Sequence, residues 1–155
     1  MPNQFIDITN RKELKRLLQQ LEPGTIPLWG SMKPQQMIEH LAEQVRWSNG
    51  KKIATCDQPA GAAAASKHKM IYTDAEITRN IFLGVLPEQY TCANISEAID
   101  QLMFELADFD NYFKTQGITA IHGGFGAMNH EEWITWHGKH FTHHLKQFGL
   151  LPAAV

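Results

Sequence analysis

The sequence predicts an all-α fold, and three observations carry that expectation. Four segments repeat apolar residues at a period near 3.6, strand-like alternation is hard to find anywhere, and neither cysteine nor proline spacing suggests a stapled or repetitive architecture. With 155 residues, 43% of them hydrophobic, the chain is long enough for one core and short for two. A single helical domain over residues 1–155 is therefore expected.

The first helix is expected from about Thr9 to Leu21, with Leu14, Leu17, Leu18 and Leu21 on one face and Glu13, Lys15, Arg16 and Gln20 opposite, ended by Pro23-Gly24. A second should open on Pro34, a residue suited to the first helical position. It carries Met37, Leu41 and Val45 inward before Asn49-Gly50 stops it. Ile95, Ile99, Leu102, Leu106, Phe109 and Phe113 form the most sustained stripe and predict a helix from about Ile95 to Thr115, capped by Asn94 or Ser96 and left through Gln116-Gly117. The last helix should begin after Asn129, with Glu132 completing a capping box, and reach Gln147 or Phe148. Between the second and third of these helices lies a long, partly irregular connection, residues 51–94, too long for a bare loop in a compact domain. Its alanine-rich stretch from Ala60 to Lys69 favours a short helix, while residues 71–86 give mixed signals.

Composition excludes several functions. Fourteen Lys and Arg against 16 Asp and Glu give a formal charge of −2, so no basic surface asks for nucleic acid or an anionic membrane. Cys56 and Cys92 form no C-x-x-C pair and read as reduced thiols. No apolar run approaches a membrane span and the first ten residues lack a signal-peptide core, so a cytoplasmic location is expected. The feature that needs explaining is the count of eight histidines.

Most of them crowd the last helix. At about 100° per residue, Trp133, His137, Phe141, His144 and Phe148 fall within an arc of about 80°, with His140 beside them, so imidazoles stand in the stripe that should be buried. A buried ring nitrogen without a partner costs a few kcal/mol, and each such histidine needs a hydrogen bond or a metal. His140 and His144, one turn apart, are spaced to bind one ion together, the alternative being two hydrogen-bonded core histidines. Phe141 follows His140, so the glutamate of an H-E-x-x-H protease motif is absent. A third ligand must come from another helix. His40, beside Met37, Leu41 and Gln44 at the margin of the buried stripe, is the best candidate, and three neutral imidazoles would leave coordination positions open.

These residues also carry a resemblance. Trp29-Gly30, then Pro34-Gln35-Gln36-Met37-Ile38-Glu39-His40-Leu41, and later Phe125-Gly126, Trp133 and His140-Phe141-Thr142-His143-His144-Leu145-Lys146-Gln147-Phe148-Gly149 together resemble the DinB-like superfamily, and within it an uncharacterised branch. The resemblance implies a four-helix bundle with a divalent-metal site held by His40, His140 and His144, the ion being zinc, nickel, iron or manganese. It further implies a metal-dependent thiol S-transferase or isomerase that joins a low-molecular-weight thiol (bacillithiol, mycothiol or glutathione) to an electrophilic small molecule, and a homodimer.

The other histidines divide less sharply. His137 can orient a ligand or pack on Trp133, while His143 should meet solvent or a partner chain. His122 precedes a glycine-rich turn and reads as part of a flexible loop or as an anion contact at the last helix's start. His68 and His130 are expected at the surface, and Gln147 either bonds within the site or packs. Trp29, Trp47 and Trp133 can line a pocket, and Glu39 and Glu43, beside His40, are expected to be solvated. An open metal position suits an enzyme that activates a thiol or water. The rivals are a non-catalytic metal- or ligand-binding bundle and a metal-free bundle that works through a partner surface. Metal content separates the last from the other two.

Overall fold

The computed structural model describes residues 4–79 and 89–152. In order these form α1 (Arg11–Leu18), α2 (Pro34–Arg46), α3 (Ala60–Ile71), α4 (Ile95–Tyr112), β1 (Ala120–His122), β2 (Gly126–Met128) and α5 (His130–Gln147). The chain is mostly helical, as expected. The part of the 71–86 stretch beyond residue 79 lies outside the described residues.

Helix ends follow local chemistry. The Asn10 side chain accepts from the Glu13 N–H and opens α1 two residues later than expected. The helix also closes early, because Gln20 and Leu21 donate to carbonyls three rather than four residues back, at 3.1 Å each. Leu21 is still buried, so the apolar stripe outruns the helix. At α2, Pro34 takes the first position and the Gln36 side chain accepts the Lys33 N–H at 3.2 Å; a lysine side chain cannot return the bond. Asn94 caps α4 through the Glu97 N–H at 2.8 Å, and α4 ends at Tyr112, short of Thr115, where Lys114 again donates three residues back. The Asn129–Glu132 box forms in both directions, at 2.9 and 3.0 Å. Helix α3 runs two residues past the expected Lys69 and buries only Ala63 and Ile71.

A short hairpin, of which the sequence carries no sign, is added to the helices and leaves the chain mostly helical. Ala120 pairs with Met128, Ile121 with Ala127 and His122 with Gly126. Three-residue strands are too short to show alternation. The turn is made by the glycines read as a flexible loop, with Gly126 at φ +78° and the Gly124 N–H donating to His122 Nδ1 at 3.0 Å.

One core joins the elements. Leu14 and Leu18 from α1, Met37, Ile38, Leu41 and Val45 from α2, Leu102, Leu106 and Phe109 from α4, and Trp133, Phe141 and Leu145 from α5 are all buried in it. At about 25 cal/mol per Å² of apolar surface, each such side chain contributes on the order of 1.5–3 kcal/mol. Helix α3 is held to the α5 side by Lys67, which pairs with Glu132 at 2.9 Å and donates to the Ala127 carbonyl at 3.1 Å. The segment before α1 crosses α5 closely. Ile6 N–H donates to Thr142 Oγ1 at 2.8 Å, and a Cβ on Gly138 would stand 2.9 Å from the Ile6 carbonyl oxygen, so glycine is required there. No described helix is long and apolar enough to cross a membrane.

Beneath α2, Glu105 of α4 is 1% exposed and fully engaged. Arg46 Nε and Lys51 Nζ each reach it at 2.6 Å, and the side chains of Asn49 and Gln101 donate to it at 3.1 and 3.0 Å. Although burial alone would raise its pKa, these donors hold it down to about 2. The network locks α2 and the turn after it to α4.

Candidate metal centre

His40 of α2 and His140 and His144 of α5 come together in the interior. His140 Nε2 lies 3.1 Å from His40 Nε2 and 3.1 Å from His144 Nε2. The one-turn spacing of His140 and His144 supplies two of these nitrogens from one helix face. The third arrives because His40, at 8% exposed, stands beside Leu41 and Met37 on the buried face of α2.

The tautomer of His144 is fixed from outside the cluster. Gln147 Nε2 donates to the Trp29 carbonyl at 3.1 Å, which turns Gln147 Oε1 toward His144 Nδ1 at 2.7 Å. That oxygen can only accept, so the His144 proton sits on Nδ1 and the Nε2 lone pair faces the other two rings. Of the two roles considered for Gln147, the bond within the site is the one observed. Trp136 lies nearly parallel to His140, with centroids 6.1 Å apart and planes at 7°. The His140 Nδ1 is buried without a partner, so the bonds that would satisfy this ring in an ordinary core are missing.

Burial keeps all three rings neutral. It pushes His40 down to about 4 and His144 to about 3, the neighbouring imidazoles adding to the effect on His144, and it holds His140 well below the ordinary histidine range. Neutral nitrogens about 3 Å apart can share at most one proton between each pair, and His144 Nε2 carries none. A divalent ion about 2.0–2.1 Å from each nitrogen would separate tetrahedral ligands by about 3.3 Å, close to the two observed spacings. The donor set therefore fits an imidazole-bound ion such as zinc, nickel, iron or manganese, with positions left for other ligands.

A cavity of about 480 Å³ reaches His40 and is lined also by Gln36, Glu43, Trp47, Cys92 and Gln101. The acids beside His40 are partly exposed, as expected, but each is engaged by neighbouring donors. Glu39 accepts from the Thr91 N–H at 2.7 Å, the Thr91 hydroxyl at 2.8 Å and Gln35 at 2.9 Å, and these donors hold its pKa below the usual value although burial opposes them. Glu43 is paired with Lys52 and with Arg46. Neither carboxylate is a free base; Glu39 anchors residues 91–92 at the cavity's edge.

The tryptophans separate. Trp47 lines the cavity, Trp29 lies in a different groove, and Trp133 is buried with its indole N–H donating to the Ala120 carbonyl at 3.0 Å. His137 packs on Trp133, with centroids 5.2 Å apart, and its Nε2 meets Ser48 Oγ at 2.7 Å. Ser48 had no signal in the sequence, since a hydroxyl just past a helix end is unremarkable there. His143 is half-buried against Trp29 rather than free in solvent, and His122 stacks on Phe125 at 4.0 Å. His130 also departs from expectation, stacking on Phe113 at 5.0 Å with its Nε2 buried, whereas His68 is exposed as expected. Glu105 and Lys139, both buried, are polar groups that the sequence did not point to.

Compared with protein-family models, curated proteins and solved structures, the chain matches none.

Proposed function

We propose that this chain is a DinB-like four-helix bundle, formed by α1, α2, α4 and α5, in which His40, His140 and His144 bind one divalent ion and serve a thiol-dependent S-transferase or isomerase. The observation that carries the reading is the convergence of three neutral Nε2 atoms, one of them held in its tautomer by Gln147. An ion in that position would lower the pKa of a thiol or water that completed its coordination and so supply the nucleophile at neutral pH.

The chain's own groups have distinct parts. Gln147 orients His144, and Trp136 covers one face of His140. The three ligands carry no negative charge, so an anionic ligand such as a thiolate is favoured as the fourth partner. The cavity at His40, about 480 Å³, has room for a thiol cosubstrate's reactive end and a small electrophile. Trp47 gives it an apolar wall. The thiol is of low molecular weight, in the class of bacillithiol, mycothiol or glutathione. Free Cys56 and Cys92 suit a reducing cytoplasm, and a homodimer completes the proposal.

Elemental analysis of protein from metal-replete growth tests the first step, with one ion per chain expected and near none in His40→Ala or His144→Ala at unchanged helical content. A conjugation screen pairing each thiol with a panel of electrophiles tests the second. Metal without turnover would reduce the reading to a non-catalytic metal- or ligand-binding bundle; absence of metal would remove it.

A further inference from the structure

A second concave site lies along α5, away from the His40 cavity, and shares none of its lining. The groove has a volume of about 300 Å³ and is lined by Trp29, Glu76, Arg79, Lys139, His143 and Lys146 among others. Positions 139, 143 and 146 follow helical spacing on α5, and each holds the segment after α3. Lys139 Nζ donates to the Thr73 and Ala75 carbonyls at 2.7 and 2.8 Å, His143 makes a backbone hydrogen bond at Ile77, and Lys146 pairs with Glu76 at 2.7 Å. That segment then delivers Arg79 back across the groove, where its guanidinium sits 4.1 Å above the Trp29 ring.

The charge in this groove is unbalanced. Among the described residues that line it, three cations stand against the single carboxylate of Glu76, which Lys146 already occupies, in a protein whose net charge is −2. Lys139 is 2% exposed; its two hydrogen-bond partners are neutral carbonyls, the Phe5 ring lies 5.0 Å from its ammonium, and Asp74 acts on it through space. An ammonium carries three N–H donors, so one remains beyond those two carbonyls. Arg79 makes no ion pair with any described residue; its contact is the ring face, which leaves the edge of the guanidinium, with its N–H groups, available. A guanidinium edge and a buried ammonium on one concave wall form a receptor for a planar or tetrahedral oxyanion.

We infer that the groove bounded by Trp29, Arg79, Lys139 and His143 binds the oxyanion of a small molecule, a carboxylate or a phosphate. Arg79 supplies paired N–H donors, Lys139 a positive charge held in place by two carbonyls, and Trp29 the ring on which the guanidinium rests.

Calorimetric titration of the full chain at low ionic strength, with inorganic phosphate in one arm and succinate in the other, tests the inference, and the Trp29 indole N–H resonance gives the location. Saturable binding of either ion, with a shift of that resonance, is expected, and the arm that saturates identifies the oxyanion. Arg79→Gln should weaken it at least ten-fold. Lys114→Gln, the same loss of charge at an exposed lysine elsewhere, and His40→Ala, at the metal centre, should leave it unchanged. Failure of both arms to saturate, full affinity in Arg79→Gln, or equal loss in either control would overturn the assignment. Because His40→Ala removes the proposed ion but not this groove, the two proposals fail separately.

Discussion

Helix α2 presents a buried polar cluster to each of two neighbours, and the two are built on opposite terms. Toward α4, Arg46 meets Glu105 in a network where every buried oxygen has a cationic or amide donor. Toward α5, His40 meets two imidazoles whose nitrogens face each other with too few protons to go round. The first cluster is complete as the chain folds it. The second is well held at its edge, by Gln147, and unsatisfied at its centre. Saturation marks a cluster that serves the fold, whereas lone pairs aimed at a common point mark one arranged for something the chain does not itself supply.

The largest effect that can break this contrast is metal linkage. A site that binds only in the folded state adds about 4 kcal/mol at a thousand-fold excess over Kd. Unfolding by denaturant with and without zinc, nickel, iron(II) or manganese should therefore show a gain for at least one ion in the native protein and none in His140→Ala. Glu105→Gln should retain the full gain from a lower baseline. A gain that disappears in Glu105→Gln but persists in His140→Ala would reverse the roles assigned to the two clusters.

Next comes Glu105 itself. Its depressed pKa means the folded state holds the carboxylate ionised further into acid than the unfolded chain does. The associated stability is present above the unfolded value near 4.5 and is lost as pH falls through that value toward about 2. The fall from 4.5 to about 2 corresponds to at most about 3.4 kcal/mol, reduced here because Arg46 and Lys51 are 28% and 39% exposed; a cost of about 2 kcal/mol at pH 7 is expected for Glu105→Gln. The difference from native should shrink steadily between pH 4.5 and 2. His122 acts in a higher window, shared with the other buried histidines. Stacked in the hairpin and pushed by burial to about 4, it contributes stability that is complete above its unfolded value near 6.5 and is lost as pH falls toward 4, so His122→Gln should remove its share of the slope there and leave the slope below pH 4 unchanged.

A smaller effect sharpens the view of the cluster's edge. Gln147→Leu keeps the volume but removes the acceptor that fixes the His144 tautomer. Metal affinity should fall about 10- to 100-fold with stoichiometry intact at saturation. Gln147→Glu, which retains an acceptor at the same place, should recover most of the loss, a rescue that simple repacking would not give. Competition with a chelator of known affinity reads both variants.

How far these clusters could be read in advance depended on how local their cause is. His144 lies on one amphipathic stripe with His140 one turn away beside it, so periodicity pointed to this pair, whereas it put His40 only at the margin of another stripe. The capping box at Asn129 was legible for the same reason, its partners being three residues apart. Glu105 and Lys139 were not, because a charged residue on a buried stripe is explained only by partners from distant segments, Lys51 and Asn49 for one and the 73–75 carbonyls for the other. The hairpin escaped for a different reason: three-residue strands carry almost no pattern, and His122-Gly123-Gly124 reads as loop until Met128 is seen to be buried beneath it.

His137 provides the finest test, since it lies on the same helix as the cluster and has the makings of either kind. It is fully buried, burial pushes it to about 3, and Ser48 Oγ meets its Nε2 at 2.7 Å while itself donating to the Val45 carbonyl at 2.8 Å. With the hydroxyl proton committed to Val45, Ser48 accepts, so the His137 proton is on Nε2 and its lone pair on Nδ1. That Nδ1 has no partner and is aimed at no second nitrogen, so this ring belongs with the fold rather than with the metal centre. Ser48→Ala should then cost about 1 kcal/mol in denaturant unfolding, the value of one buried hydrogen bond, and leave metal stoichiometry and affinity unchanged. A loss of metal in Ser48→Ala would instead make His137 part of the centre, coupling the end of α2 to the ion through a ring that now reads as structural.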